Sequence, residues 1–326
     1  MNSEPTIRDV LVTGATGFVG RDVVRRLLAR GLRPVCVVRS AQKLLRQHPD
    51  VDPERLVPVV GSLSDRGVLR EAADLSQAAI HLVGIIVERW MRGQTFRGVH
   101  VRGTRNVVEA VSRAGITRYV HMSALGTRPD GRSKYHLTKW KGEEIVRASG
   151  LDWTIFRPSL IHGPDGEFMQ LAKAFVSGVV PPVIPYFGNG QARIQPVSVK
   201  DVAHCFVESL YLPDTVGKVI PLGGPEAFSW LELWDRCRRH IPNARSGKAY
   251  ISLSPGFAKT VAAMSAPVMT VTELILPSLG KFRFDAGQVD MATEDSTCDH
   301  GVAEEMFNMK MRGFESELAT YADLIA

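Results

Sequence analysis

The first half of the chain alternates short apolar runs with longer stretches of helical periodicity. The runs Asp9–Val12, Pro34–Val38, Leu56–Val60, Ala79–Val83, Tyr119–Met122 and Trp153–Phe156 are short, and several are apolar throughout rather than at alternate positions. Strands buried on both faces of a parallel sheet read this way. Between them, Phe18–Ala29, Leu69–Ala73, Thr104–Ala114 and Lys134–Ala148 suit helices. Gly31, Gly115 and Gly150 stand where a helix ends on a left-handed residue. The alternation predicts an α/β fold with a doubly wound parallel sheet, whose ligands gather at the carboxyl ends of the strands.

After Pro158 prolines and glycines multiply. One helix is predicted near Phe168–Val176. Ile194–Val199 then reads as a strand and Val202–Leu212 as a helix, a unit expected to return to the sheet. Further on lie a strand at Val219–Leu222 and a helix opening at Ser229, with Glu232 placed to complete a capping box. The expected organisation is a first domain over residues 1–165, to which 194–212 return. A smaller, partly interleaved substrate-side domain takes 166–193 and 213–326.

The segment VLVTGATGFVG places Gly14, Gly17 and Gly20 between the first strand and the first helix. The first glycine permits a tight turn, the second lets backbone approach a pyrophosphate, and the third lets helix and strand pack closely. This is the dinucleotide-binding loop of a Rossmann sheet, with Thr16, Phe18 and Val19 completing the cradle. No carboxylate follows the second strand. Val38 is succeeded by Arg39, and Lys43 lies one helical turn beyond. A guanidinium there favours a ribose 2′-phosphate, so NADP(H) is expected over NAD(H).

Ser123 ends the fifth strand, Tyr135 comes twelve residues later, and Lys139 lies four beyond that. On a helix the last two share a face. A phenol with a neighbouring ammonium can move a proton to or from a carbonyl, the ammonium being expected to lower the phenol's pKa. A serine at the strand end can hydrogen-bond the substrate oxygen. Lys139 and Tyr135 are also candidate cofactor contacts. The same three residues fit a protein that holds its cofactor without turnover.

Composition adds limits. The chain is 44% hydrophobic and 23% charged, enough for a sizeable core and unlike a disordered segment. The net charge is +6. Arg21, Arg25, Arg26 and Arg30 fall at helical spacing, as on a solvated helix face, so no nucleic-acid partner is expected. Cys36, Cys205, Cys237 and Cys298 form no CxxC pair, and no metal site is expected. Without a signal-like N-terminus or an apolar stretch of about 20 residues, the expected location is cytoplasmic. The apolar segment 255–280 is a candidate for peripheral contact with a membrane or a protein complex. Trp90 and Trp140 read as packing residues, His121 as a packed strand residue, and His162 as a candidate substrate contact.

Together these segments resemble the extended and atypical short-chain dehydrogenase/reductases. They resemble most the group related to the dehydrogenase-like accessory subunit of respiratory complex I. The resemblance rests on VLVTGATGFVG, HLVGIIVE, TFRGVHVRGTRNVVEA, RYVHMSALG, YHLTK, SGLDWTIFRPSLIHGP and IQPVSVKDVA. It implies that Leu82, Val83 and Gly84 line the cofactor, that Pro158 and Ser159 flank the nicotinamide, and that Asn106 sits on the helix before the fifth strand. Gly61-Ser62 departs from the usual Gly-Asp, leaving the adenine contact open. Two roles follow from the family. One is an oxidoreductase moving hydride to or from the carbonyl or alcohol of a small molecule, for which the Phe, Leu and Met content of the C-terminal part suggests a hydrophobic substrate; the other is an NADP(H)-holding accessory or assembly protein.

Overall fold

The computed structural model describes residues 7–179, 182–261 and 285–325. The chain divides into two compact units, one of residues 1–129, 137–157 and 199–220, the other of 130–136, 158–198 and 221–326. Central to the first is a seven-stranded sheet. Its strands β1 (Asp9–Thr13), β2 (Arg33–Val38), β3 (Val57–Val60), β4 (Ala78–His81), β5 (Arg118–Met122) and β6 (Asp152–Pro158) run in the order β3-β2-β1-β4-β5-β6. The pairings within this set are all parallel. The strand Lys218–Leu222 closes the sheet beside β6. The expected doubly wound Rossmann sheet is present, with the order reversing between β1 and β4.

Burial explains the apolar runs. Every residue of β1 and of β4 is buried. Helix α1 (Phe18–Ala29) buries Val19, Val23, Val24, Leu27 and Leu28, a stripe of helical period. Its basic face is not simply solvated. Arg25 pairs with Asp22, and Arg26 and Arg30 both pair with Glu208, on α7 (Val199–Glu208). Gly31, Gly115 and Gly150 all carry positive φ, the left-handed termination expected of them.

The returning strand is not the one anticipated. Ile194–Val199 does not join the central sheet; it splits into Arg193–Ile194 and Val197–Ser198, each in a small separate pair. Pro196, between them, has no N–H to give a ladder. Lys218–Leu222 takes the sheet position instead, where Gly217 N–H donates to Trp153 O at 2.7 Å. An edge strand tolerates Pro221. The buried Arg118 guanidinium ties this corner by donating to the carbonyls of Ser209 and Asp152 and to the hydroxyls of Thr154 and Thr215.

The second unit packs α6 (Glu167–Ser177), α8 (Trp230–His240) and the helix Phe314–Tyr321 around Met169, Val176, Leu233, Trp234 and Phe314. The capping box predicted at Ser229 and Glu232 opens α8. Of the segment 255–280, residues 262–280 lie outside the described residues; residues 255–261 are helical and expose Phe257. Among the described residues no helix is long and apolar enough to cross a membrane.

Helix α5 (Lys134–Arg147) holds a fully buried carboxylate, Glu143. It accepts two hydrogen bonds from Arg157, at 2.8 and 2.7 Å, and one from Arg147. Glu143→Gln strands these guanidiniums and is expected to cost about 3 kcal/mol of stability. Urea unfolding of the variant beside wild type measures it; a loss well under 1 kcal/mol would contradict the pairing's role.

Candidate functional site

The glycine loop has the required shape. Gly14 takes φ +81, and Gly17 N–H donates to Gly14 O at 2.9 Å. A Cβ on Gly20 would overlap the Gly14 carbonyl oxygen and come within 2.8 Å of Ala15 Cα. Gly17 is the N-cap of α1 and supplies no side-chain cap, and the first turn has no acid. The N–H groups of that turn are therefore left for an anion. α2 (Ala41–Gln47) is capped by Ser40, and α3 (Arg66–Asp74) by Asp65. A bare helix N-terminus above a glycine cradle fits a pyrophosphate.

The loop meets the end of β4. A Cβ on Gly14 would lie 3.3 Å from Leu82 and from Val83. One residue on, a Cβ on Gly84 would stand 2.9 Å from Lys139 Nζ. That ammonium donates to Met122 O at 2.9 Å, at the carboxyl end of β5. Ser123 follows at once. It is buried, its N–H donates to Phe156 O at 2.7 Å, and its hydroxyl lies 3.3 Å from Thr127 Oγ1. Gly14, Leu82, Val83, Gly84, Lys139 and Ser123 are thus gathered at the carboxyl ends of β1, β4 and β5. Tyr135 lies on α5 one turn before Lys139.

Burial sets the acid–base behaviour. It lowers Lys139 from 10.5 to about 8, against an opposing pull from Glu143. It pushes the Tyr135 phenol up to about 12. The expectation that the ammonium lowers this phenol is therefore reversed: removal from water disfavours phenolate and moves the group the other way. At neutral pH the pair is an ammonium and a neutral phenol, suited to giving a proton.

The other expected contacts lie outside this cluster, several of them also at strand ends. Arg39 and Lys43 are exposed at the end of β2 and in the first turn of α2. Gln47 of that helix donates to Thr16 O at 3.3 Å, tying it to the glycine loop. Ser159 N–H donates to Leu222 O, and its hydroxyl bonds Ser296, so that side chain is already engaged. Pro158 is the last residue of β6. Asn106, on α4 (Thr104–Arg113), donates to Leu63 O at 2.8 Å and so fixes the loop after β3. His162 is fully buried, with Tyr321 OH at 2.9 Å and its ring edge-on to Phe314, in the core of the second unit. It is a packed residue rather than a substrate contact. Trp90, expected to pack, is 68% exposed.

A histidine–threonine ladder that sequence reasoning missed lies beneath the site. Thr104 gives its proton to His100 O at 2.7 Å and so accepts from His81 Nε2, at 3.3 Å. His81 Nδ1 then accepts from Thr13, at 2.6 Å. His100 Nε2 accepts the Ile85 N–H at 3.1 Å, so its proton sits on Nδ1, toward Thr138 at 2.9 Å. Both rings are neutral. Burial, helped by the Lys139 charge, holds His81 at about 3 and His100 well below 6.5. The ladder fixes Gly84-Ile85 beside the lysine. Only the i, i+4 spacing of His100 and Thr104 signals it in the sequence.

Residues 14–212 match the family model described as NAD(P)H-binding. The chain belongs to this NAD(P)H-binding family. A 40 kDa subunit of mitochondrial NADH-ubiquinone oxidoreductase from Neurospora crassa is 25% identical over 269 residues, 81% of this chain and 68% of that protein. A ceramide reductase from Caulobacter vibrioides is 34% identical over 239 residues, 72% of this chain and 71% of that one. The kinship with complex I subunits expected from the sequence is present, beside kinship with a reductase. Among solved structures, MoeE5 in complex with UDP-glucose and NAD has a TM-score of 0.71 at 21% identity, covering 97% of this chain and 98% of that chain. At that identity the likeness is one of fold.

Proposed function

We propose that this chain is an NADP(H)-dependent oxidoreductase acting on the carbonyl or alcohol of a small, hydrophobic molecule. The observation that carries the reading is the Lys139 ammonium, held between Met122 O and Gly84 beside Ser123, with Tyr135 one turn away on the same helix. Bound NADPH supplies the hydride for reduction of a carbonyl carbon. Ser123 donates a hydrogen bond to the carbonyl oxygen, and Tyr135 gives that oxygen its proton. Lys139 stabilises the phenolate left behind. The reverse sequence oxidises an alcohol. The ceramide reductase relative supports a long-chain, apolar substrate class.

The test is oxidation of NADPH by the purified chain against panels of long-chain ketones, quinones, steroids and nucleotide sugars. Turnover on one panel is the expected result. A second reading is favoured by the complex I subunit that aligns over 81% of this chain. There the protein holds its cofactor as an accessory or assembly component. NADP(H) that copurifies and is oxidised by no panel would replace the first reading with the second.

Arg39 underlies the cofactor preference. It is exposed at the end of β2, and no carboxylate pairs with it among the described residues. A charge-assisted bond to a 2′-phosphate contributes about 1.5–3 kcal/mol. Arg39→Ala should therefore weaken NADPH binding about 10- to 100-fold and leave NADH nearly unchanged. Titration calorimetry with both cofactors checks this; tighter NADH binding by wild type would contradict it.

A further inference from the structure

Between Ile85 and Arg105 the chain carries five arginines, Arg89, Arg92, Arg97, Arg102 and Arg105, against one acid, Glu88. The stretch therefore carries a net charge of +4. Glu88 is committed inward, accepting the Phe96 N–H at 2.8 Å. Arg97 and Arg102 are exposed on the π-helical turn Arg97–Gly103 that follows.

The same stretch holds out apolar side chains. Arg89 and Gln94 exchange backbone hydrogen bonds at 2.8 and 3.1 Å, closing a small loop. Gly93, at φ +65, bonds back to Trp90 O at 2.9 Å. At the tip, Trp90 is 68% and Met91 66% exposed, and Ile86 is 42% exposed on the approach. A single exposed apolar residue is ordinary. Three within six positions, on a turn fixed by its own hydrogen bonds, form a built projection, followed in the chain by the exposed Arg97 and Arg102.

We propose that the Ile86–Gln94 loop docks this protein on an anionic bilayer surface. Trp90 lies at the headgroup level, where an amphipathic ring has both an apolar and a wet neighbour. Met91 and Ile86 reach the acyl boundary, and Arg97 and Arg102 face the lipid phosphates. The exposed charge lies on the turn that follows the loop, on Arg97 and Arg102. That suits a delocalised anionic surface better than a discrete acidic peptide. The attachment is shallow and reversible, and it stands apart from the reaction proposed above.

The experiment is co-sedimentation of the full chain with vesicles of phosphatidylglycerol and phosphatidylcholine, against phosphatidylcholine alone. Binding to the anionic vesicles, weakened by added salt, is expected. Trp90→Ser/Met91→Ser should reduce the partition about tenfold, and Arg97→Glu/Arg102→Glu by one to two orders of magnitude, roughly. Wild-type melting and NADPH binding in both variants show that they are folded. Equal sedimentation of Trp90→Ser/Met91→Ser and wild type would overturn the proposal. So would a chain that ignores both vesicles, including one that binds heparin through Arg97 and Arg102, which points to an acidic macromolecule instead.

Discussion

Gly20→Ala is expected to weaken dinucleotide binding by about a hundredfold or more. The added methyl overlaps the Gly14 carbonyl oxygen and crowds Ala15 Cα, both backbone atoms that no rotamer change can move aside. The first turn of α1 must shift away from β1, and its uncapped N–H groups shift with it. Overpacking of this kind also costs about 1–3 kcal/mol of stability. Gly17→Ala is the informative partner. Its Cβ would lie 3.1 Å from Gly14 O, a contact that slight relaxation relieves, and Gly17 is exposed. It should keep near-wild-type stability and still lose affinity, because its methyl occupies the approach of the phosphates. Fluorescence titration with NADPH, beside urea unfolding, separates the two. Wild-type affinity in Gly20→Ala would remove the cradle from the cofactor site.

The legible parts of this fold were those set by local pattern. β1, β2 and β4 read correctly because a strand buried on both faces is apolar at nearly every position. The Ser229 capping box was legible because its two partners are three residues apart. What stayed hidden depends on residues far apart in the chain. Thr13, His81 and Thr104 form one ladder across separations of 68 and 23 residues, and no spacing rule joins them. The edge place of Lys218–Leu222 depends on Arg118 and Gly217, which no periodicity in the strand itself reports. The pKa of the Tyr135 phenol escapes the sequence for a related reason. Its helical neighbour Lys139 is visible in the sequence, whereas the burial that dominates its pKa is not. Trp90 shows the converse: a large aromatic ring suggests a core, and only the folded loop shows it standing outside.

Removing the Tyr135 hydroxyl in Tyr135→Phe should lower carbonyl reduction by roughly 10²–10⁴ while leaving NADPH affinity within a few-fold. The pH profile then assigns Lys139. With its ammonium held at about 8 by burial, kcat/KM for reduction should be level below that pH and fall above it as the charge is lost. Tyr135, near 12, remains protonated throughout. Lys139→Arg should carry the falling limb to higher pH, and Lys139→Met should flatten it at low activity. Stability must move the opposite way over the same window. Between about 8 and 10.5 the unfolded lysine holds a proton that the folded one has released, so unfolding free energy rises with pH. Urea unfolding of wild type minus Lys139→Met isolates this contribution from other groups titrating there. Activity lost and stability gained across one pH interval, both abolished by Lys139→Met, is a signature that a purely structural lysine does not give. A kcat/KM profile that stays level through pH 9, or turnover indifferent to Tyr135→Phe, would withdraw the proton-transfer role and leave the dinucleotide site standing.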